Sequence, residues 1–144
     1  MAAAESCTGG LIGHIITQVP RSSDHFLGGI VSYSDAVKDA LLGVPDELLQ
    51  SVGAVSAEVA EAMTTGALDQ FPAARLSVAV TGIAGPDGGS EEKPVGLTYV
   101  AAAIRDGTAV VERHLWSHDR DGNKRASALA ALELATRVTS EQSA

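Results

Sequence analysis

The stretch Ala4-Glu5-Ser6-Cys7-Thr8-Gly9-Gly10 runs directly into an apolar helical pattern, and this junction constrains the fold more than any other feature. Leu11, Ile12, Ile15, Ile16 and Val19 recur at helical spacing, and Pro20 stops the run. A turn of small and glycine residues lets a ligand approach the backbone closely. The free N–H groups of a helix start, with the positive end of its dipole, favour an anion. Such a junction binds a phosphate, or it stabilises an oxyanion beside a serine nucleophile at Ser6. A plainer role for Ser6 or Thr8 is to cap the helix, which both residue types favour.

The rest of the chain alternates strand and helix signals. Phe26 to Tyr33 is strand-like, and Ser34-Asp35 suits the cap of a helix from Ala36 to Leu42, closed by Gly43. A short helix follows over Pro45 to Gln50. Ser56 caps a longer one reaching Phe71, with Val59, Ala60, Met63, Ala67 and Leu68 as its apolar stripe. Leu76 to Val80 reads as a buried strand that delivers Thr81 into a glycine- and proline-rich loop, Gly82 to Gly96. Leu97 to Ile104 and Thr108 to Trp116 flank Arg105-Asp106-Gly107, a hairpin signal. A last helix is expected over Asn123 to Val138, with Ala126, Leu129, Ala130, Leu132, Ala135 and Val138 inward. This order predicts one layered α/β/α domain over 1–144, with a mixed sheet containing an antiparallel hairpin. Ligands in such folds gather at strand ends, where Ser6, Tyr33 and Thr81 all fall.

Composition removes several function classes. A net charge of −8 argues against a general nucleic-acid binder, whose footprint is basic, but leaves room for a small anion held by a local basic patch. No apolar run approaches the ~20 residues that span a bilayer, and the opening Met-Ala-Ala-Ala is no signal peptide. Cys7 is the single cysteine, which points to a reducing, cytoplasmic setting without an internal disulfide or cysteine-based zinc cluster. His114 and His118 with Asp119 lack a third ligand at convincing spacing, so no metal is expected. The Gly82–Gly96 loop holds neither the P-loop nor the dinucleotide pattern and reads as a wall or lid over a substrate.

Six segments together resemble one family. They are Ala4-Glu5-Ser6-Cys7-Thr8-Gly9-Gly10-Leu11-Ile12; Tyr33-Ser34 through Lys38 to Leu42-Gly43-Val44; Gly53-Ala54-Val55-Ser56; Ala79-Val80-Thr81-Gly82-Ile83-Ala84-Gly85-Pro86-Asp87-Gly88-Gly89; Lys93-Pro94-Val95-Gly96-Leu97; and Asp119-Arg120. In order and spacing the chain resembles the C-terminal domain of the competence/damage-inducible protein CinA, which as a stand-alone protein is the nicotinamide-nucleotide amidase. Members of that family carry a further helix and most of a strand before the Ala-Glu-Ser motif. The resemblance therefore implies a short first strand here, without the usual N-terminal helix and without the N-terminal nucleotide-processing domain of full-length relatives.

The resemblance implies hydrolysis of the carboxamide of nicotinamide mononucleotide to nicotinate mononucleotide and ammonia, with no cofactor and no metal. It maps functional positions onto Ser6, Tyr33, Lys38, Thr81 and Arg120. In the implied chemistry Ser6 is the nucleophile and Lys38, neutralised by burial or nearby cations, is the base. Tyr33 relays or orients the proton, and N–H groups at the helix start after Ser6 hold the oxyanion. Cys7, Thr8, Gly9, Thr81 and Gly82 are expected to bind substrate, and Arg120 with Lys124 looks like a phosphate clamp. The implied partners are a small nucleotide substrate and a second copy of the chain, a dimer being favoured, with neither nucleic acid nor membrane.

Plainer roles compete with each of these. Lys38 beside Val37 and Leu41 on a short helix reads as a solvated lysine. Tyr33 at a strand end is normally packing, and Thr81 can simply fix a turn. Cys7 is intrinsically a better nucleophile than Ser6, so residue chemistry alone leaves a cysteine amidase open. A non-catalytic nucleotide-binding or interaction module is the alternative from another class.

Overall fold

The computed structural model describes residues 1–143. Five strands form one sheet in the order β2-β1-β3-β4-β5: β1 is Ala2–Glu5, β2 Gly28–Val31, β3 Leu76–Gly82, β4 Leu97–Ile104 and β5 Val110–Leu115. The first three run parallel, and β3, β4 and β5 pair antiparallel. The helices are α1 (Leu11–Thr17), α2 (Asp35–Leu42), α3 (Asp46–Val52), α4 (Ala57–Gln70) and α5 (Arg120–Gln142).

Alternation along the strands creates two cores. Ala2, Ala4, Ala79, Ala101 and Ala103 face the layer of α2, α3 and α4. Ala3, Val78, Val80, Val100 and Ala102 face α1 and α5. The mixed sheet with an antiparallel hairpin is thus covered on both sides, as the alternating signals predict. Alanine dominates the first face and lets helices lie close. At Gly66 of α4 an added Cβ would stand 2.0 Å from the Leu42 carbonyl oxygen, so only glycine permits the α2–α4 contact.

Three boundaries differ from expectation. The second strand is shortened to Gly28–Val31, because Phe26 is drawn into the α1/α5 core instead of the sheet. The last helix begins at Arg120 and continues to Gln142. Gly122 does not break it, since Asp119 caps its N–H at 2.8 Å and a Cβ there would collide with His118. Helix α1 is capped by neither Ser6 nor Thr8: Gly10 occupies the cap position without a side-chain bond.

The carboxyl ends of the three parallel strands meet at one edge. β1 runs out into Ser6, β2 into Ser32 and Tyr33, and β3 ends at Thr81 and Gly82. This is where ligands of open α/β sheets bind.

Candidate active site

Glu5 organises the turn after β1. Its Oε1 accepts from Thr8 Oγ1 (2.7 Å) and the Ile12 N–H (2.8 Å), and its Oε2 accepts from the Gly13 N–H (3.1 Å). The first-turn donors of α1 are therefore spent on a buried carboxylate of the preceding strand. This corrects the expectation that they serve a ligand. Thr8 is buried with its hydroxyl committed to Glu5, and neither it nor Gly9 lines the cleft described below. The turn requires glycine, with φ of 60° at Gly9 and 105° at Gly10. It leaves the N–H groups of Cys7 and Thr8 without an acceptor among the described residues.

Ser34 caps α2, accepting from the Val37 N–H, and the cap sets the helix so that Lys38 and Leu42 point inward. Lys38 is 1% exposed, which corrects the solvated-lysine alternative. Its Nζ lies 3.0 Å from Ser6 Oγ, 2.8 Å from the Ser32 carbonyl oxygen and 3.2 Å from that of Tyr33. Burial lowers its pKa below the usual lysine value, and the negative charge of Asp35 opposes that shift only in part. As an ammonium, Lys38 donates to all three oxygens. As a neutral amine it keeps two N–H groups for the two carbonyls and turns a lone pair toward the Ser6 hydroxyl.

Cys7 also borders the cleft, but burial pushes its thiol up to about 11, so it stays protonated at neutral pH and is a poor nucleophile. No hydrogen bond joins it to Lys38 among the described residues. Of the adjacent hydroxyl and thiol, it is the Ser6 hydroxyl that Lys38 Nζ meets.

A cleft of about 270 Å³ opens over this pair, bordered by Ser6, Tyr33, Lys38, Thr81, Gly82 and Arg120 among others. Thr81 donates to the Ala54 carbonyl oxygen (2.8 Å), tying the end of β3 to the chain before α4. Arg120 stands at the rim, donating through Nη1 to the Gly85 carbonyl oxygen (2.6 Å) and through Nη2 to the Tyr33 hydroxyl (3.4 Å). The Tyr33 hydroxyl lies away from the place expected of a proton relay. Its main-chain carbonyl orients Lys38, while its side chain, 63% exposed, reaches Arg120 across the mouth and not the Ser6–Lys38 pair. Lys124 is not among the residues bordering the cleft. It lies against the Gly9 turn, one helical turn from Arg120, where its charge reaches the Cys7 thiol.

The loop from Gly82 to Gly96 walls one side of the cleft. Ile83, Ala84, Gly85, Asp87 and Gly88 line the cleft, and Lys93 reaches back to the Val52 carbonyl at the end of α3. Buried Asn123 donates to the Ala84 carbonyl oxygen (2.9 Å) and accepts from the His118 N–H (3.1 Å). Asn123, Asp35 and Asp87 escape sequence reading. An Asn at an expected helix start and an Asp in a first turn each already have a local explanation, while Asp87 sits in a loop without a periodic pattern.

His114 stacks on Trp116 with ring centroids 4.7 Å apart and faces Glu112, away from the cleft. No three metal-ligating side chains converge among the described residues, and no helix there is long and apolar enough to cross a membrane.

The CinA C-terminal domain profile matches residues 1–139. This chain belongs to the CinA C-terminal domain family. It is 50% identical over 134 residues to a putative competence-damage inducible protein of Moorella thermoacetica, covering 93% of this chain and 32% of the relative. A CinA-like protein of Geobacter sulfurreducens is 50% identical over 133 residues, with 92% and 32% covered. The chain therefore spans about a third of the length of these curated relatives. Among solved structures, competence/damage inducible protein CihA from Agrobacterium tumefaciens superposes with a TM-score of 0.92 at 41% identity, covering 96% of this chain and 84% of that one. A CinA superfamily protein from Escherichia coli gives 0.90 at 29% identity, covering 95% and 78%.

Proposed function

We propose that this CinA-family domain hydrolyses the carboxamide of nicotinamide mononucleotide, releasing ammonia and nicotinate mononucleotide. The observation that carries this reading is the buried amine of Lys38, 3.0 Å from Ser6 Oγ and hydrogen-bonded to carbonyls with no carboxylate among its partners. A lysine that only anchored structure would serve as well charged and ion-paired. One held among neutral acceptors beside a hydroxyl is suited to take and return a proton.

The Ser6 hydroxyl passes its proton to the Lys38 lone pair as Oγ bonds to the amide carbon. The carbonyl oxygen becomes an oxyanion, for which the N–H groups of Cys7 and Thr8 are the available donors. Lys38, now an ammonium, protonates the amide nitrogen, and the C–N bond breaks to release ammonia and leave an ester on Ser6. Water then adds to the ester carbon, giving up a proton to Lys38, which returns it to Ser6 Oγ as the C–O bond breaks and frees the carboxylic acid, which ionises. Serine–lysine pairs perform acyl transfer on unrelated folds, so the chemistry does not depend on fold likeness. With the amide at Ser6, the ligand phosphate lies toward the mouth, where Arg120 offers a planar donor fork.

Ammonia release from nicotinamide mononucleotide by the purified protein tests this directly. The wild type is expected to turn over, and Ser6→Ala is expected to bind the nucleotide without releasing ammonia. Binding without turnover by the wild type would leave a nucleotide-binding module and refute the amidase.

A further inference from the structure

The ionic lining of the cleft does not suit a purely anionic ligand. Besides Lys38, whose charge burial disfavours, it presents Arg120 against two carboxylates, Asp35 and Asp87. Asp35 lies three residues before Lys38 on α2, so the two side chains share one helix face, and both border the cleft with Ser6. Asp35 has no ion pair and no side-chain hydrogen bond among the described residues. Its favourable place in the first turn of α2 does not require it, because Ser34 already caps that helix.

A pyridine ring joined to ribose through its nitrogen carries a positive charge, and its carboxamide is neutral. Hydrolysis leaves the ring charge in place and creates a carboxylate on the carbon that was bonded to Ser6 Oγ. The reacting end of the cleft therefore meets a cation before the reaction and a new anion after it.

We propose that Asp35 is a specificity-determining residue that reads this change: its carboxylate favours the cationic ring bearing an amide and disfavours the product carboxylate formed at Ser6. The proposal rests on the amidase reading above and adds to it a basis for product release. Asp35 touches neither the nucleophile nor the departing nitrogen. It acts through its charge, and in a water-filled cleft a like charge about 4 Å away weakens binding by about five-fold.

Ser6→Ala protein, which cannot form the acyl-enzyme, allows both nucleotides to be titrated by calorimetry, with Asp35 intact and with Asp35→Asn. The intact cleft is expected to bind the amide nucleotide more tightly than the acid nucleotide, and D35N to shrink that preference by about five-fold. The difference between the two proteins should fall as ionic strength rises, and Asp35→Glu should restore the preference. In the turnover assay with Ser6 present, the ratio of the inhibition constant of nicotinate mononucleotide to the KM of the amide nucleotide should fall about five-fold in D35N. A merely structural Asp35 would weaken both nucleotides together and leave their ratio unchanged, which would overturn the filter. Wild-type protein that deamidates while the ratio stays fixed refutes the filter alone. Wild-type protein that releases no ammonia refutes the amidase, and the filter with it.

Discussion

Lys38→Met keeps most of the side-chain length and removes the amine, which separates the chemistry of Lys38 from its packing. On the proposed mechanism the Ser6 hydroxyl of K38M attacks unaided, and positioned general bases contribute about 10²–10⁴-fold. That corresponds to about 3–5 kcal/mol of barrier. The Ser32 and Tyr33 carbonyls each lose a donor. Tyr33 is exposed and its carbonyl can turn to water, but Ser32 is fully buried, and an orphaned acceptor there costs about 1–3 kcal/mol. Relief of the buried amine offsets part of that, so K38M should fold with Tm lowered by no more than roughly 10 °C.

The pH dependence has a fixed sign. Burial places the folded pKa of Lys38 below its ordinary value of 10.5, so kcat/KM should rise with pH through that depressed value as the amine becomes neutral. Stability follows the same direction. Between the folded pKa and 10.5 the unfolded chain binds a proton that the folded chain does not, so Lys38 makes folding more favourable as pH rises across that window; below the folded pKa its cost is constant. Ammonia release and thermal melts across pH, on wild type, K38M and Lys38→Arg, test both. Arginine retains donors but cannot become a neutral base, so it should be nearly inactive and lack the rising limb. Substantial activity in K38R, or a wild-type profile with no rising limb at any pH at which the protein stays folded, would refute Lys38 as the base.

Ser6→Ala should abolish ammonia release, whereas Cys7→Ala should keep substantial activity because its thiol is protonated at neutral pH; parallel assays of the two variants check this. Arg120→Ala should raise KM for the mononucleotide by about one to two powers of ten and leave the phosphate-free riboside nearly unaffected, the value of a charge-assisted phosphate contact. An unchanged ratio of the two substrates would place the phosphate elsewhere. Gly66→Ala should destabilise the fold by about 3 kcal/mol or more in a denaturant melt, since its methyl would meet the Leu42 carbonyl carbon and oxygen, which are backbone and cannot turn aside.

The elements most legible in the sequence are those with local causes. α4 begins after its Ser56 cap as expected, and β4 spans the expected Leu97–Ile104 because its apolar run and the following Asp-Gly turn are both local signals. Lys38 was not legible from its helix alone. Val37 and Leu41 suggest one inward face, yet Leu41 is exposed and the buried residues are Lys38 and Leu42. The seat of Lys38 is supplied by the carbonyls after β2 and the hydroxyl after β1, which are contacts across the fold that no period along α2 encodes. The cap of α1 was hidden for the same reason, since it comes from Glu5, which lies in a strand seven residues before its Ile12 donor. Only the family resemblance singled out Lys38, through motif spacing and not through a physical property of the segment.

Glu5 and Lys38 are both buried side chains of charged type at the root of one cleft, and their surroundings set them apart. The oxygens of Glu5 receive two backbone N–H groups and one hydroxyl, all donors suited to a carboxylate, and they hold the turn after β1 in shape. Lys38 is met by two carbonyls and a hydroxyl, which suit an amine in either protonation state and leave its charge uncompensated by any bonded anion. A group held that way changes protonation at low cost, while the fully bonded one is a fixed support. The same arrangement limits what can stabilise the oxyanion. With the Ile12 and Gly13 N–H groups bound to Glu5, the helix start is closed to a ligand, and the N–H groups of the Cys7–Thr8 turn remain beside Ser6, the proposed nucleophile. Glu5→Gln should therefore act on activity through the turn. One of its acceptors becomes a donor facing N–H or O–H groups, the turn loosens, and kcat should fall with KM little changed, because the distortion lies at the reacting atoms and not at Arg120.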